Sequence, residues 1–177
     1  YHAIIGGELC YIVHPSDTAT ALLALNASAK IAGTGGERTV SFDEYFTGPR
    51  VDVLRENVLK PNEFMTHVTI PNPAGGTKFG WTKLKDRQVY DFALISVAAV
   101  FTVSGGNWKE GRISLGGVSP VPYRAKVVED FLKGKDNGGL ATGFCTSLAS
   151  LVADKFWQGH TDQHTLTEDG TRRMLTG

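Results

Sequence analysis

The sequence predicts an α+β chain whose C-terminal part is a three-stranded antiparallel sheet with helices on one face. Three observations carry this expectation. Phe79 to Lys85, Ala93 to Val103 and Gly111 to Leu115 are three strand-like runs in close succession, the last two joined by Ser104-Gly105-Gly106-Asn107. Two stretches of helical periodicity follow: Tyr123 to Lys133, with Val127, Val128, Phe131 and Leu132 and Gly134 as its C-cap, and Phe144 to Lys155, with Leu148, Leu151 and Val152. Upstream, Asn72-Pro73-Ala74-Gly75-Gly76 has the small, turn-forming composition of a connector and divides the chain into units of 1–74 and 75–177.

Within the first unit, Leu9 to Val13 reads as a short strand ending at His14-Pro15, and Ser16 or Asp17 supplies the N-cap oxygen for a helix through Asn26. Ala29 to Ala32 and Arg38 to Val40 flank Gly33-Thr34-Gly35-Gly36, which predicts a β-hairpin. Ser41 and Glu44 have capping-box spacing, so Phe42 to Phe46 should make one helical turn before Gly48-Pro49. Loop then continues to a strand over Phe64 to Ile70, closed by Pro71. From Gly159 onward the chain is polar and weakly periodic.

Composition excludes several classes of function. Lys plus Arg equals Asp plus Glu at 18 each in 177 residues, so no net field draws the chain to nucleic acid or an anionic membrane. The longest apolar run, Phe92 to Val103, is shorter than the ~20 residues of a spanning helix. Cys10 and Cys145 are too few for a disulfide scaffold, which fits a reducing compartment; the expected setting is cytoplasmic, with the periplasm, as part of an exported complex, the alternative. The chain begins at Tyr1 and reads as the interior of a longer gene product.

Three segments stand out by order and spacing: Cys10-Tyr-Ile-Val-His14-Pro-Ser-Asp17, Lys83-Leu-Lys85-Asp-Arg87-Gln-Val-Tyr90-Asp-Phe-Ala93, and Ser114-Leu-Gly-Gly117-Val-Ser-Pro120-Val-Pro-Tyr-Arg124-Ala. Together they resemble the FAD-binding (medium) subunits of the molybdenum hydroxylases (xanthine dehydrogenase, carbon monoxide dehydrogenase and aldehyde oxidoreductase), with a style closest to bacterial aldehyde oxidoreductase or YagS-like subunits. The resemblance runs from Ala3 to Gly134 and fades in the tail. It implies a partial FAD-binding subdomain ahead of the C-terminal sheet. It also implies a subunit that passes electrons from iron–sulfur clusters through FAD to an external acceptor, beside a molybdenum-cofactor large subunit and an iron–sulfur small subunit.

The same resemblance nominates cofactor-binding residues. Ser16 and Asp17 open a helix, and Asp17 matches a residue that contacts the ribityl chain as well as capping backbone N–H groups. Lys83 matches a lysine beside the flavin ring, where a cation stabilises negative charge on the reduced ring. Arg87 could meet a phosphate or acceptor, Tyr90 could stack on isoalloxazine, and Met65 matches an apolar neighbour of the flavin; solvated loop residues and core packing are the plain alternatives for these three. No catalytic residue is expected, because substrate oxidation in this family takes place at the molybdenum centre.

Two metal readings are weaker. Cys10 matches a cysteine of relatives with an extra [4Fe–4S] cluster, which needs about four thiolates. His160 and His164 flank Asp162 but lack a third ligand. The Gly-rich pyrophosphate loop of the family is also missing, since Gly33 to Gly36 lies in a hairpin rather than between a strand and a helix. The chain alone is therefore expected to hold FAD poorly; a non-catalytic remnant or assembly module of the same fold is the alternative reading.

Overall fold

The computed structural model describes residue 9, residues 16–85, residue 87 and residues 91–135. The elements run α1 (Asp17–Ala24), β1 (Ser28–Gly33), β2 (Gly36–Ser41), α2 (Phe42–Tyr45), β3 (Glu63–Thr69), β4 (Thr77–Leu84), β5 (Ile95–Ser104), β6 (Asn107–Gly116), β7 (Tyr123–Arg124) and α3 (Lys126–Leu132). They form two separate antiparallel sheets, one ordered β2-β1-β3 and one ordered β4-β5-β6-β7. Leu9 is helical rather than the start of a strand, and the remainder of that predicted run lies outside the described residues. The helix expected over Phe144 to Lys155 and the polar tail lie outside them too.

The first sheet begins from the predicted hairpin. Gly36 takes a φ of 108°, the left-handed region in which a Cβ is strained, and so lets β2 fold back on β1. Ser41 caps α2 by accepting from the Asp43 N–H, one position nearer than a capping box requires. Phe42, Tyr45 and Phe46 pack at centroid distances of 5.2–5.4 Å, with Phe46 edge-on to the other two rings, and this aromatic knot shares a core with Ala29 and Ile31. Arg38 on β2 reaches Glu63 of β3 through two hydrogen bonds and donates to the Val58 carbonyl, tying both outer strands across β1.

The second sheet contains the three predicted strands in sequence order, joined by a fourth. The predicted helix from Tyr123 begins three residues later, at Lys126, because Tyr123 and Arg124 pair with Leu115 and Ser114 and satisfy the open edge of β6. Glu129 of α3 continues that edge by accepting the Ile113 N–H. Val97, Ala99, Phe101, Ile113 and Leu115 make a core with Ala125 and Val128 on this face. The Phe101 ring stacks edgewise on Trp108 and lies over Gly111, the cross-strand partner that has no Cβ to obstruct it.

Helix α1 is the layer shared by both sheets. Ala19, Leu22 and Leu23 join the core of the first sheet, while Thr20 and Ala24 are buried as well, so five of its eight residues are buried. The other side of the helix lies on the second sheet, over the Ser96, Ala98, Ser114 and Gly116 face opposite α3. Small side chains there permit a close approach of helix to sheet. The helix fits because it is apolar on both sides.

Candidate functional site

The nominated residues separate into those that the fold brings together and those that it does not. Ser16 is buried and caps α1, its Oγ accepting from the Ala19 N–H at 3.2 Å. Asp17 is the next residue, in the first turn. Its Oδ2 accepts from Lys83 Nζ at 2.5 Å, although 66 residues separate the two in the chain. Lys83 lies on β4 opposite Ser96 and is therefore on the face of the second sheet that α1 covers. The pair is half-screened, with side-chain exposures of 22% for Lys83 and 40% for Asp17.

Asp17 Oδ1 is buried and has no hydrogen-bond partner among the described residues. A carboxylate oxygen held without a donor costs about 1–3 kcal/mol, more when it is charged. An acceptor in this position fits a ligand that supplies hydroxyls, and a lysine ammonium 2.5 Å from the other oxygen fixes its direction.

Met65 stands opposite Ile31 on β3 and packs half-buried against the first core. Arg87 is turned to Asp91, with Nη2–Oδ1 at 3.2 Å and its N–H on Oδ2 at 2.9 Å, and its side chain is 73% exposed. Its side-chain and backbone hydrogen bonds hold the Asp91 carboxyl below its usual range. Tyr90 lies outside the described residues, as do Cys10, His160, Asp162 and His164. Among the described residues no three His, Cys, Asp or Glu side chains form a metal-binding group.

A second polar centre was not anticipated. Asp43, the first acidic residue of α2, receives Arg112 at 2.6 Å and Arg124 at 3.2 Å, both from the second sheet. Arg112 also donates to the Leu23 carbonyl in the last turn of α1, a favourable place for a cation. Burial pushes the Asp43 carboxyl up, but Arg112 and Arg124 together outweigh it and hold the group below its ordinary value. Burial likewise lowers Arg124, and Glu129 and Asp43 outweigh it and raise the guanidinium. The only sequence signal was the acidic start of α2; three elements distant in sequence make the network.

Residues 1–73 match the FAD binding domain in molybdopterin dehydrogenase, and residues 81–151 match the CO dehydrogenase flavoprotein C-terminal domain. The chain belongs to the FAD-binding medium-subunit family of the molybdenum hydroxylases. It is 37% identical over 130 residues to the aldehyde oxidoreductase FAD-binding subunit PaoB of Escherichia coli (strain K12), covering 72% of this chain and 39% of that one. The carbon monoxide dehydrogenase medium chain of Hydrogenophaga pseudoflava is 34% identical over 132 residues, covering 74% of this chain and 44% of that one.

Among solved structures, carbon monoxide dehydrogenase from Hydrogenophaga pseudoflava lacking the Mo-pyranopterin moiety superposes with a TM-score of 0.75 at 26% identity, over 98% of this chain and 57% of that one. Thus this medium-subunit-family chain spans less than half the length of these curated relatives. Among its described residues, no helix is long and apolar enough to cross a membrane.

Proposed function

We propose that this chain forms one wall of the flavin site in the FAD-carrying subunit of a molybdenum-containing hydroxylase. The subunit relays electrons from iron–sulfur clusters through FAD to an external acceptor. Residues 1–74 supply part of the FAD-binding domain and 75–177 the flavoprotein C-terminal domain, in a cytoplasmic assembly with a molybdenum-cofactor large subunit and an iron–sulfur small subunit. FAD, when bound, supplies the redox chemistry; the residues of this chain bind it and set its electrostatics.

The Asp17–Lys83 pair carries this reading. Asp17 presents a buried Oδ1 with no donor among the described residues, as the ribityl hydroxyls require. Lys83 places a cation beside it, where negative charge on a reduced ring is stabilised. Ser16 fixes the turn from which Asp17 projects. We assign Arg87 and Tyr90 to the outer rim of the same site and Met65 to its apolar support.

The test is an FAD titration of the full-length subunit, followed at the flavin band near ~450 nm. Asp17→Ala and Lys83→Ala should each raise the dissociation constant about tenfold or more, the scale of one lost charge-assisted hydrogen bond. Parent-like affinity in both variants sinks the site assignment. A full-length subunit that takes no FAD at all favours the assembly-module alternative.

A further inference from the structure

We infer that Thr20, Ser96 and Gly116 form a seat that positions the Asp17–Lys83 pair and thereby sets flavin affinity; the affinity part rests on the site proposed above. A Cβ built on Gly116 would lie 2.4 Å from Thr20 Oγ1 and 2.5 Å from Ser96 Oγ. The strand backbone, the helix and β5 therefore meet at one point with no room for a methyl group. Thr20 and Ser96 are both fully buried.

The seat acts on Asp17 because Thr20 cannot yield. Its hydroxyl donates to the Ser16 carbonyl at 2.9 Å, which locks the β-branched side chain in its rotamer. Ser16 also caps the helix, so Thr20, the cap and Asp17 form a single rigid first turn. Ser96 Oγ has no partner among the described residues and can rotate aside, which leaves Thr20 as the firm contact. A side chain at 116 would therefore lift the first turn of α1 off the sheet and carry Asp17 away from Lys83. Ser96 lies directly opposite both Lys83 and Gly116, so the two halves of the device share one row across the sheet.

Thr20, Ser96 and Gly116 are positioning residues, and the test separates placement from stability in the full-length subunit. Gly116→Ala should raise the FAD dissociation constant about tenfold. It should also abolish the coupling of Asp17 and Lys83, measured as a double-mutant cycle of Asp17→Asn and Lys83→Met in urea unfolding, which is expected to be about threefold in the unfolding constant of the parent. Adding Thr20→Ala and Ser96→Ala makes room for the methyl group, since Thr20 Cβ remains at an ordinary 3.5 Å, and should restore both readings.

Parent-like coupling and affinity in Gly116→Ala overturn the inference, as does a triple variant that recovers neither. Where Gly116→Ala alone does not fold, the triple variant decides: recovered coupling supports the seat and its absence overturns it. If Asp17→Ala leaves FAD binding unchanged while Gly116→Ala still abolishes the coupling, the flavin assignment falls and the seat stands.

Discussion

In the first sheet, Ala29 and Ile31 face a core while Phe64 and Ile70 on the far side and end of β3 stand exposed; in the second, β5 buries Val97, Ala99 and Phe101 on one face and Ser96 and Ala98 on the other. The contrast follows from coverage. Among the described elements, the first sheet has a helical layer on one face only, whereas the second lies between α3 and α1. The same helix serves both, so the second sheet is completed by a segment that the sequence assigns to the first. Two sheets that share a layer in this way should respond together to damage at the helix and separately to damage in their own cores.

The largest expected effect is Phe101→Ala, which removes a ring packed on Trp108 and over Gly111. Urea unfolding should show a loss of about 3–5 kcal/mol, against about 2–4 kcal/mol for Ile31→Ala in the first core. If Ile31→Ala costs more, the second sheet is not the better-packed region. Next is Arg112→Met, which takes two donors from the Leu23 carbonyl and one from Asp43. Discounted for partial exposure, about 2 kcal/mol should be lost, with amide exchange rising in α1 and α2 together. Faster exchange confined to the second sheet would show that the two regions are not coupled through this residue.

Acid should act on both regions with the same sign. Arg38 and the Lys60 N–H lower the Glu63 carboxyl to about 2. A depressed folded value means that stability is present above the unfolded carboxylate pKa of about 4 and is lost as pH falls through the folded one. Stability should therefore decline from pH ~4 toward ~2, and Glu63→Gln should flatten this decline. Asp43, also lowered, should behave alike, so Asp43→Asn removes a further part of the slope. A slope unchanged by both substitutions contradicts the assignment. The smallest effect belongs to the loop after α2, where Val51 and Leu54 are 82% and 93% exposed; Leu54→Ser should change stability by less than ~0.5 kcal/mol.

Much of the local structure was legible because its causes are local. Ser16 or Asp17 ahead of an apolar run gave the start of α1, with Ser16 the cap in the structure; Gly33 to Gly36 gave the hairpin, and Gly105-Gly106 gave the turn between β5 and β6. Tyr123 was misread as helical because its pairing with Leu115 depends on an edge that exists only once β6 is placed. The face of small residues made by Ser96, Ala98, Ser114 and Gly116 was not read from the sequence, because it exists only once β5 and β6 pair and α1 lies over them.

By itself the sequence determined most of the element types, the antiparallel succession of β4, β5 and β6 and the family, since propensity, turn chemistry and segment order all lie along the chain. It also nominated Asp17 and Lys83 one at a time. Only the tertiary structure decided that they touch, that Met65 packs half-buried against the first core and that Arg112 and Arg124 converge on Asp43. Each of these depends on where α1 lies between the two sheets, and the helix lies there because Gly116 leaves Thr20 and Ser96 the space that any other residue would fill.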